Sequence, residues 1–264
     1  MIRTGTMEGR STMPQAILTT QKLCKTFSHS GMQQHVLKNL DMEIREGDFT
    51  VIMGASGAGK STLLYALSGM DKPTLGEIEF AGRKISKFNN DQLAVFRREN
   101  CGFVFQQIFL MDSMSVMDNV LACGFLNGEP KKAVVARAKS LFSQVGLSET
   151  DWKKFPSQLS GGEAQRAGLV RALINTPKVV FADEPTGALN SAAGKAVLNL
   201  LTQVHRNGQS IVLVTHDLRS ARRGNRVLYL RDGVVCGECD LGAYVSGDKA
   251  RHSKLNAFLQ EMGW

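Results

Sequence analysis

Residues 54–62 read Gly-Ala-Ser-Gly-Ala-Gly-Lys-Ser-Thr and match the phosphate-binding pattern G-x-x-x-x-G-K-[ST]. The short apolar run 49–53 before this loop predicts a buried strand, and residues 61–69 after it predict a helix. A strand, a glycine-rich loop and a helix in this order form the context that the pattern requires. These residues therefore predict an α/β fold that binds a nucleoside triphosphate.

The loop offers several kinds of phosphate contact. Its backbone amides and the N-terminus of the following helix form a cradle for anions, because glycines allow a close approach that a Cβ would block. We expect the Lys60 ammonium to hold the β- and γ-phosphates, Ser61 to ligate Mg²⁺ and Thr62 to bond a phosphate. The loop residues predicted to bind ATP are Gly54, Ala55, Ser56, Gly57, Ala58, Gly59, Lys60, Ser61 and Thr62.

Two adjacent carboxylates follow a second apolar run, residues 179–182. Asp183 is predicted to hold Mg²⁺, and Glu184 to polarise the water that attacks the γ-phosphate. The alternative is a pair of solvated acids at the end of a strand, which is the weaker interpretation once a phosphate-binding loop is present. ATP and Mg²⁺ are the cofactors that this combination predicts.

The composition is typical of a globular cytosolic protein. The chain has 264 residues, of which 43% are hydrophobic, and this length suits one large domain or two closely joined ones. No apolar run approaches the roughly 18 residues that span a bilayer, and the polar residues 1–14 do not resemble a secretory signal. The five cysteines form no disulfide framework.

The net charge of +8 leaves nucleic acid and an acidic membrane surface open as partners. The basic residues are dispersed along the chain, without a long Lys/Arg block or interleaved aromatic residues, so stable nucleic-acid binding is not expected. They include Lys131, Lys132, Lys153, Lys154, Arg219, Arg222, Arg223 and Arg226.

Hydrophobic patterning divides the chain into a core and an insertion. It predicts strands at 16–27, 36–46, 77–80, 179–182, 210–214 and 227–230, and helices at 91–99, 116–126, 131–145, 161–175 and 191–206. We predict a nucleotide-binding domain at 16–240, with a core at 16–88 and 166–240 and a helical insertion at 89–165. Residues 1–15 are expected to form a flexible tail, and 241–264 a tail whose apolar residues have helical spacing from 255 onward.

Residues 159–163 read Leu-Ser-Gly-Gly-Glu and resemble the signature motif of the ATP-binding cassette (ABC) ATPases. The glycines open a helix whose N-terminus can face a γ-phosphate. The resemblance covers about residues 16–235. It implies that Ser160, Gly161, Gly162 and Glu163 bind the ATP that is held by a second copy of the chain.

Three further residues resemble functional positions of this family. Gln106, in Gly-Phe-Val-Phe-Gln, is similar to the glutamine that contacts Mg²⁺ and couples to the membrane subunit, and His216 is similar to the switch histidine that bonds the γ-phosphate. Phe27 is similar in place to the aromatic residue that stacks on adenine, with a core position as the alternative. The resemblance implies catalytic roles for Lys60, Glu184 and His216, and metal contacts for Ser61, Gln106 and Asp183.

The resemblance also implies a fold and an assembly. The fold is a P-loop NTPase (RecA-like) core sheet, with an antiparallel edge sheet and an inserted α-helical subdomain. The assembly is a homodimer that ATP closes and that powers an integral membrane permease from the cytoplasmic face of the cell membrane. Residues 52–57, 102–106 and 182–187 are most similar to the group that serves macrolide export, lipoprotein release and bacitracin-type peptide resistance.

One residue departs from the family pattern, because Asn190 stands where aspartate is usual. Asparagine keeps the hydrogen-bonding shape and loses the charge, so hydrolysis is either unaffected or slower. Two alternatives to a transporter subunit remain at this point. One is an ABC-type ATPase that acts on nucleic acid or ribosomes, and the other is a non-hydrolysing sensory module, which only Asn190 supports.

Overall fold

The computed structural model describes residues 15–29 and 31–264, so the predicted tail 1–15 lies outside the described residues except for Gln15. The described strands are β1 (Ala16–His29), β2 (Met32–Arg45), β3 (Phe49–Met53), β4 (Leu75–Phe80), β5 (Arg83–Lys84), β6 (Cys101–Phe105), β7 (Val179–Asp183), β8 (Ser210–Val214), β9 (Arg226–Arg231) and β10 (Val234–Asp240). The described helices are α1 (Lys60–Leu67), α2 (Asn90–Asn100), α3 (Val116–Gly124), α4 (Lys131–Gln144), α5 (Glu149–Trp152), α6 (Gly161–Leu173), α7 (Ser191–Arg206), α8 (Leu218–Ala221) and α9 (Lys249–Glu261). None of these helices is long and apolar enough to cross a bilayer.

Two sheets form the framework of the fold. One is antiparallel with the strand order β2-β1-β4-β5, and the other has six strands in the order β10-β9-β3-β8-β7-β6. In the larger sheet, all strands from β9 to β6 run parallel, and β10 pairs antiparallel with β9 at one edge. The predicted α/β core with a separate antiparallel sheet is confirmed.

The central strands are buried on both faces, as is usual for parallel sheets that helices cover. On β3, Phe49, Val51 and Met53 belong to one apolar cluster, and Ile52 belongs to a second cluster on the other face. Side chains of α3, α4, α6, α7 and α9 complete the first cluster. Side chains of α1, α2 and the antiparallel sheet complete the second, so the smaller sheet packs against the larger one through α1.

The range 89–165 is not a purely helical segment. Its strand β6 pairs with β7 and forms one edge of the six-stranded sheet. A Cβ on Gly102 would lie 2.3 Å from the carbonyl oxygen of Ala172, so a glycine allows α6 to approach this strand. A short apolar run such as 101–105 has no periodicity that separates a buried strand from a helix. The division into core and insertion stays a prediction.

The C-terminal segment packs onto its own domain. Leu255 and Leu259 on α9 are buried in the first apolar cluster. Arg251 on the same helix is 4% exposed, and its guanidinium donates to backbone carbonyls rather than to a carboxylate. The acceptors are the carbonyl oxygens of Arg222 (2.8 Å), Leu241 (2.7 Å), Gly242 (3.0 Å), Ala243 (3.2 Å) and Gly224. Arg251 thereby connects α9 to the chain that follows α8.

Candidate nucleotide-binding and hydrolysis site

The predicted functional residues lie where the parallel strands end. β3 ends at Met53 before the phosphate-binding loop, β6 before Gln106, β7 before Glu184 and β8 before Thr215. The carboxyl ends of parallel strands meet at one edge of a sheet, and ligands bind at this edge in open α/β folds. The topology therefore gathers the loop, the two carboxylates, Gln106 and His216 along one edge.

Close backbone contacts shape the phosphate-binding loop. A Cβ on Gly54 would lie 2.2 Å from the carbonyl oxygen of Leu230, so only glycine fits there. Gly57 has a φ of 81°, in the left-handed region that favours glycine. The helix α1 begins after Gly59 without a capping side chain or an acidic residue in its first turn. Its N-terminal amides are therefore available to an anion.

Lys60 lies inside this loop and is only 8% exposed. Its Nζ donates to the carbonyl oxygens of Gly54 at 2.8 Å and Ala55 at 2.9 Å. Burial lowers the pKa of the Lys60 ammonium, and the carboxylates of Glu184 and Asp183 counteract that shift. The cation is thus held at the centre of the predicted phosphate cradle.

The Asp183 carboxylate accepts hydrogen bonds from two hydroxyl groups. Ser61 Oγ donates to Oδ1 at 3.0 Å, and the Tyr65 hydroxyl donates to Oδ2 at 3.0 Å. Burial raises the pKa of Asp183, and these two hydrogen bonds oppose the shift. Burial also raises the pKa of Tyr65, so its phenol stays protonated and able to donate. Tyr65 was not among the predicted site residues.

Glu184 occupies a strained backbone position directly after β7. Its φ of 45° lies in the left-handed region, where residues other than glycine are uncommon and tend to mark functional sites. Its carboxylate accepts from Thr215 Oγ1 at 3.0 Å and from the His216 backbone amide at 3.1 Å. The His216 Nδ1 lies 2.7 Å from the same carboxylate, and the His216 side chain is 60% exposed. The end of β8 therefore fixes the orientation of Glu184 and leaves the histidine open to solvent.

Gln106 lies beside the segment that follows Glu184. Phe105 pairs with Asp183 in the parallel ladder, so the next residue of each strand reaches the same part of the sheet edge. A Cβ on Gly187 would lie 3.0 Å from the Gln106 Cδ and Nε2, which shows how closely the glutamine packs there. Gln106 therefore lies near the end of β7, and its contact with Mg²⁺ stays a prediction.

Two side chains of α6 hold the segment around Gln106. The Gln165 Nε2 donates to the carbonyl oxygen of Phe105 at 2.9 Å. The Arg171 guanidinium donates to the carbonyl oxygens of Ile108 at 2.6 Å and Phe109 at 2.5 Å. The predicted signature motif forms the N-terminus of α6. These three hydrogen bonds therefore connect the helix that carries the motif to the segment around Gln106.

The predicted signature residues 160–163 use their polar groups within the chain. Glu163 Oε2 accepts from the Ser160 amide and hydroxyl, each at 2.7 Å, and Ser160 Oγ accepts from the Glu163 amide at 3.3 Å. This capping box begins α6. A Cβ on Gly162 would lie 3.1 Å from the Ala193 Cβ, so the motif lies beside the N-terminus of α7. Its contact with the ATP of a second copy stays a prediction.

Phe27 is 43% exposed, so the alternative of a core position is wrong. Phe27 pairs with Gln34 on β2. Two residues further along β2, Val36 lies next to the phosphate-binding loop, because a Cβ built on Gly59 would be 3.1 Å from its side chain. An exposed ring near the loop is able to stack on a base, because stacking needs only an accessible π-face. The adenine contact itself stays a prediction.

Comparison with known proteins agrees with this geometry. Residues 37–187 match the ABC transporter family. The chain belongs to the ABC transporter family. It is 40% identical over 226 residues to the macrolide export ATP-binding/permease protein MacB of Pectobacterium atrosepticum, an alignment that covers 86% of this chain and 35% of the relative. An uncharacterized ABC transporter ATP-binding protein of Methanocaldococcus jannaschii is 39% identical over 219 residues, with 83% of this chain and 97% of the relative covered.

Solved ABC cassettes have the same fold. A dimeric post-hydrolysis structure of the ATP-binding cassette MJ0796, bound to ADP and phosphate, superimposes with a TM-score of 0.79 at 36% identity, covering 86% of this chain and all of that one. The predicted family, with its macrolide-export group, is confirmed, and the chain is an ABC ATPase cassette. The alternative of an ATPase that acts on nucleic acid or ribosomes is not favoured. The chain spans about a third of the length of the macrolide-export relatives, 35% in two of them and 31% in a third.

In this ABC cassette, Asn190 retains a structural role that aspartate would also fill. Its Oδ1 accepts from the Ala193 amide at 2.9 Å and caps the N-terminus of α7. Asparagine and aspartate are about equally good at this position. The departure from the family pattern therefore leaves the helix intact and removes only a charge.

The oxygen atoms beside the phosphate-binding loop suit Mg²⁺ as ligands. Ser61 Oγ and the Asp183 carboxylate are neighbouring oxygen groups, and Mg²⁺ prefers oxygen ligands from one or two carboxylates together with phosphates and water. When bound, Mg²⁺ would neutralise charge on the phosphates. Ser61, Asp183 and Gln106 are the residues that would hold it.

Proposed function

We propose that this chain binds and hydrolyses ATP as the nucleotide-binding subunit of an ABC exporter, and that two copies close around two ATP molecules. The observation that carries the proposal is the position of Glu184, fixed by Thr215 and His216 at the strand end next to Lys60 and Asp183. The macrolide-export names of the relatives support an export role, and the dimeric state of a solved relative supports the two-copy assembly.

Each residue would contribute a distinct part of hydrolysis. The amides of the loop and Lys60 bind and orient the phosphates, since preorganised donors stabilise the charge that develops in phosphoryl transfer. Glu184 accepts the hydrogen bond of the attacking water and draws its proton, a contribution of about 10²- to 10⁴-fold. His216 is exposed, so its second ring nitrogen is able to bond the γ-phosphate while Nδ1 stays on Glu184.

The signature motif would complete the site of the opposing copy. ATP that contacts Ser160 and Gly162 of a second chain makes bonds that the open state lacks, so ATP favours the closed dimer. Loss of the γ-phosphate removes those bonds and the contact with His216, and the dimer opens. The hydrogen bonds from Gln165 and Arg171 would transmit this motion from α6 to the loop of Gln106.

A permease would bind on the face that carries this loop. Phe109 is 59% exposed and Met111 is 58% exposed, three and five residues after Gln106. Asn119 on α3 fixes the position of Met111, accepting from its amide at 2.7 Å and donating to its carbonyl at 3.1 Å. Exposed apolar residues on a fixed loop are typical of a protein interface. Through a permease, the chain would lie on the cytoplasmic face of the cell membrane.

Complementation between two inactive variants tests the shared site. Lys60→Ala removes the phosphate half and Ser160→Arg blocks the signature half, so each variant alone is expected to be inactive. An equal mixture should recover roughly a quarter of wild-type turnover, because half of the dimers then have one complete site of two. Phosphate release measures turnover, and circular dichroism confirms that both variants are folded. A mixture as inactive as its folded components would contradict the shared site.

A further inference from the structure

Basic residues that are far apart in the sequence meet at one cleft beside the hydrolysis site. The cleft has a volume of about 710 Å³ and lies between the first half of α7, the turn after His216 and residues 244–252 at the start of the C-terminal segment. This volume falls in the range of sites for small molecules, about 300–1,000 Å³. One end of the cleft is bordered by Glu184, His216 and Gln106 of the hydrolysis site, whereas the mechanism proposed above gives no role to its basic side chains.

The cleft carries an excess of positive charge. Six cationic side chains line it against three carboxylates, and among the described residues none of the six forms an ion pair. A cleft lined mostly by one sign of charge focuses the field and concentrates counter-ions. The six cations are Lys195, Arg219, Arg222, Arg223, Lys249 and Arg251.

The carboxylates in the cleft are already hydrogen bonded to other groups. Glu184 accepts from Thr215 and His216. Asp217 caps α8, accepting from the Ser220 amide at 2.9 Å and hydroxyl at 2.8 Å. Asp248 caps α9 by accepting from the backbone amide at 251, at 3.1 Å. None of the three accepts a hydrogen bond from the guanidinium or ammonium group of a cleft cation, and the attraction of Asp217 for Arg219 and of Asp248 for Arg251 leaves the cleft with a net positive charge.

Four of the cations remain available to a ligand. Arg251 is fully engaged with carbonyl oxygens, and Arg223 lies over the Tyr244 ring at 4.6 Å. By contrast, Arg222 uses only its Nε, on the carbonyl of Leu218, and Arg219 makes one long contact of 3.5 Å with Ser191. Lys195 and Lys249 are exposed and have no side-chain hydrogen bond within residues 15–29 and 31–264.

The arginines also repel one another. Burial is the main cause that lowers the pKa of Arg223, and the neighbouring cations Arg222 and Arg206 lower it further. Like charges held close together cost free energy, which an anion in the cleft would offset. A concave site of limited volume suits a small anion better than the extended backbone of a nucleic acid.

We propose that this cleft binds a small anion with several negative charges, such as a phosphorylated or polycarboxylated molecule, through Lys195, Arg219, Arg222 and Lys249. The bound anion would connect α7, the turn behind His216 and α9. This site is separate from the phosphate-binding loop, and the proposal goes beyond the role of the chain as an ATPase subunit.

The test uses the full chain with its ATP site filled by magnesium and a non-hydrolysable ATP analogue. The probe is the fluorescent trisulfonate pyranine, titrated and followed by anisotropy. We expect saturable binding to the wild type, and a Kd at least about tenfold higher in the double variant Lys195→Gln, Arg222→Gln. The matched control, Lys132→Gln with Lys139→Gln on α4, removes two exposed charges away from the cleft and should leave the Kd unchanged.

Circular dichroism and melting establish that each variant is folded. Equal affinity of both double variants for pyranine, or no saturable binding to the wild type, would overturn the proposal. A second arm sediments the chain with phosphatidylserine vesicles. If the cleft variant loses vesicle binding while pyranine fails to bind the wild type, the surface binds a membrane and the proposal for a small ligand is wrong.

Discussion

The two halves of the predicted ATP site differ in how they are built. In the phosphate half, Lys60 and Asp183 are 8% and 9% exposed, and the contact between Tyr65 and Asp183 spans 118 residues of sequence. In the signature half, Ser160 is exposed, and its amide and hydroxyl bond only Glu163, three residues away. The first half is complete within one chain. The second is a capped helix N-terminus with an exposed outer surface, and a site shared with a second copy of the chain requires such a surface.

The largest expected effect is that of Lys60→Ala on the phosphate half. The substitution removes the cation and the donor that holds the carbonyl groups of Gly54 and Ala55. We expect turnover to fall below detection and ATP affinity to fall by more than about tenfold, as for a lost charge-assisted bond in a buried site. Phosphate release and titration with a fluorescent ATP analogue measure the two effects. Lys132→Ala on α4 is the control, and turnover within twofold of wild type would contradict the role of Lys60.

Glu184→Gln should separate binding from hydrolysis. Glutamine keeps a carbonyl oxygen for Thr215 and loses the negative charge that polarises water. Turnover should fall by about 10²- to 10⁴-fold while ATP affinity changes little. Size-exclusion chromatography with ATP should then show an accumulated dimer. A variant that hydrolyses ATP at the wild-type rate would remove Glu184 from this role.

A moderate effect is expected from Tyr65→Phe. The ring packing remains, and only the hydroxyl that donates to Asp183 is lost. One hydrogen bond is worth about 1 kcal/mol, so the Mg²⁺ concentration for half-maximal turnover should rise about fivefold. Binding of Mn²⁺, followed by electron paramagnetic resonance, should weaken by a similar factor. ATP affinity measured without metal should stay constant, and an unchanged metal dependence would show that Tyr65 does not position Asp183.

The smallest effect is expected from Asn190→Asp, at the junction between the two halves. Both residue types cap a helix, so turnover should change by less than about twofold. The new charge at the N-terminus of α7 should raise the free energy of unfolding by about 0.3–1 kcal/mol. Chemical denaturation and phosphate release give the two values. A gain in turnover of more than tenfold would mean that Asn190 limits hydrolysis.

The phosphate half was the most predictable part of the chain. Its signals are all local in the sequence: the apolar run 49–53 leads into a loop with glycines at fixed spacing and Lys60-Ser61, and the run 179–182 leads into Asp183-Glu184. By contrast, Tyr65 reads as one more residue of an apolar helix, because its partner is distant in sequence. The basic cleft was not predicted for the same reason, because only the fold brings the dispersed arginines 219, 222 and 223 close to Lys195 and Lys249.

The sequence patterns did not predict the strands β6 and β10, for different reasons. The run 101–105 lies within a range expected to be helical, and nothing local identifies it as a strand of the sheet. β10 has a clear signal, because Asp232 and Gly233 have φ values of 52° and 83° and connect β9 and β10. An Asp-Gly pair between two extended runs is a strong sign of a hairpin.

The five carbonyl groups around Arg251 have a consequence for anyone who shortens this protein. A version ending at residue 240 would still contain every motif of the ATP site. It would nevertheless leave the carbonyl oxygens of Arg222 and Gly224 without their donor, at a cost of about 1–3 kcal/mol for each one that stays buried. Low activity in such a truncated protein would then reflect a disordered turn behind His216 rather than a defect in its catalytic chemistry.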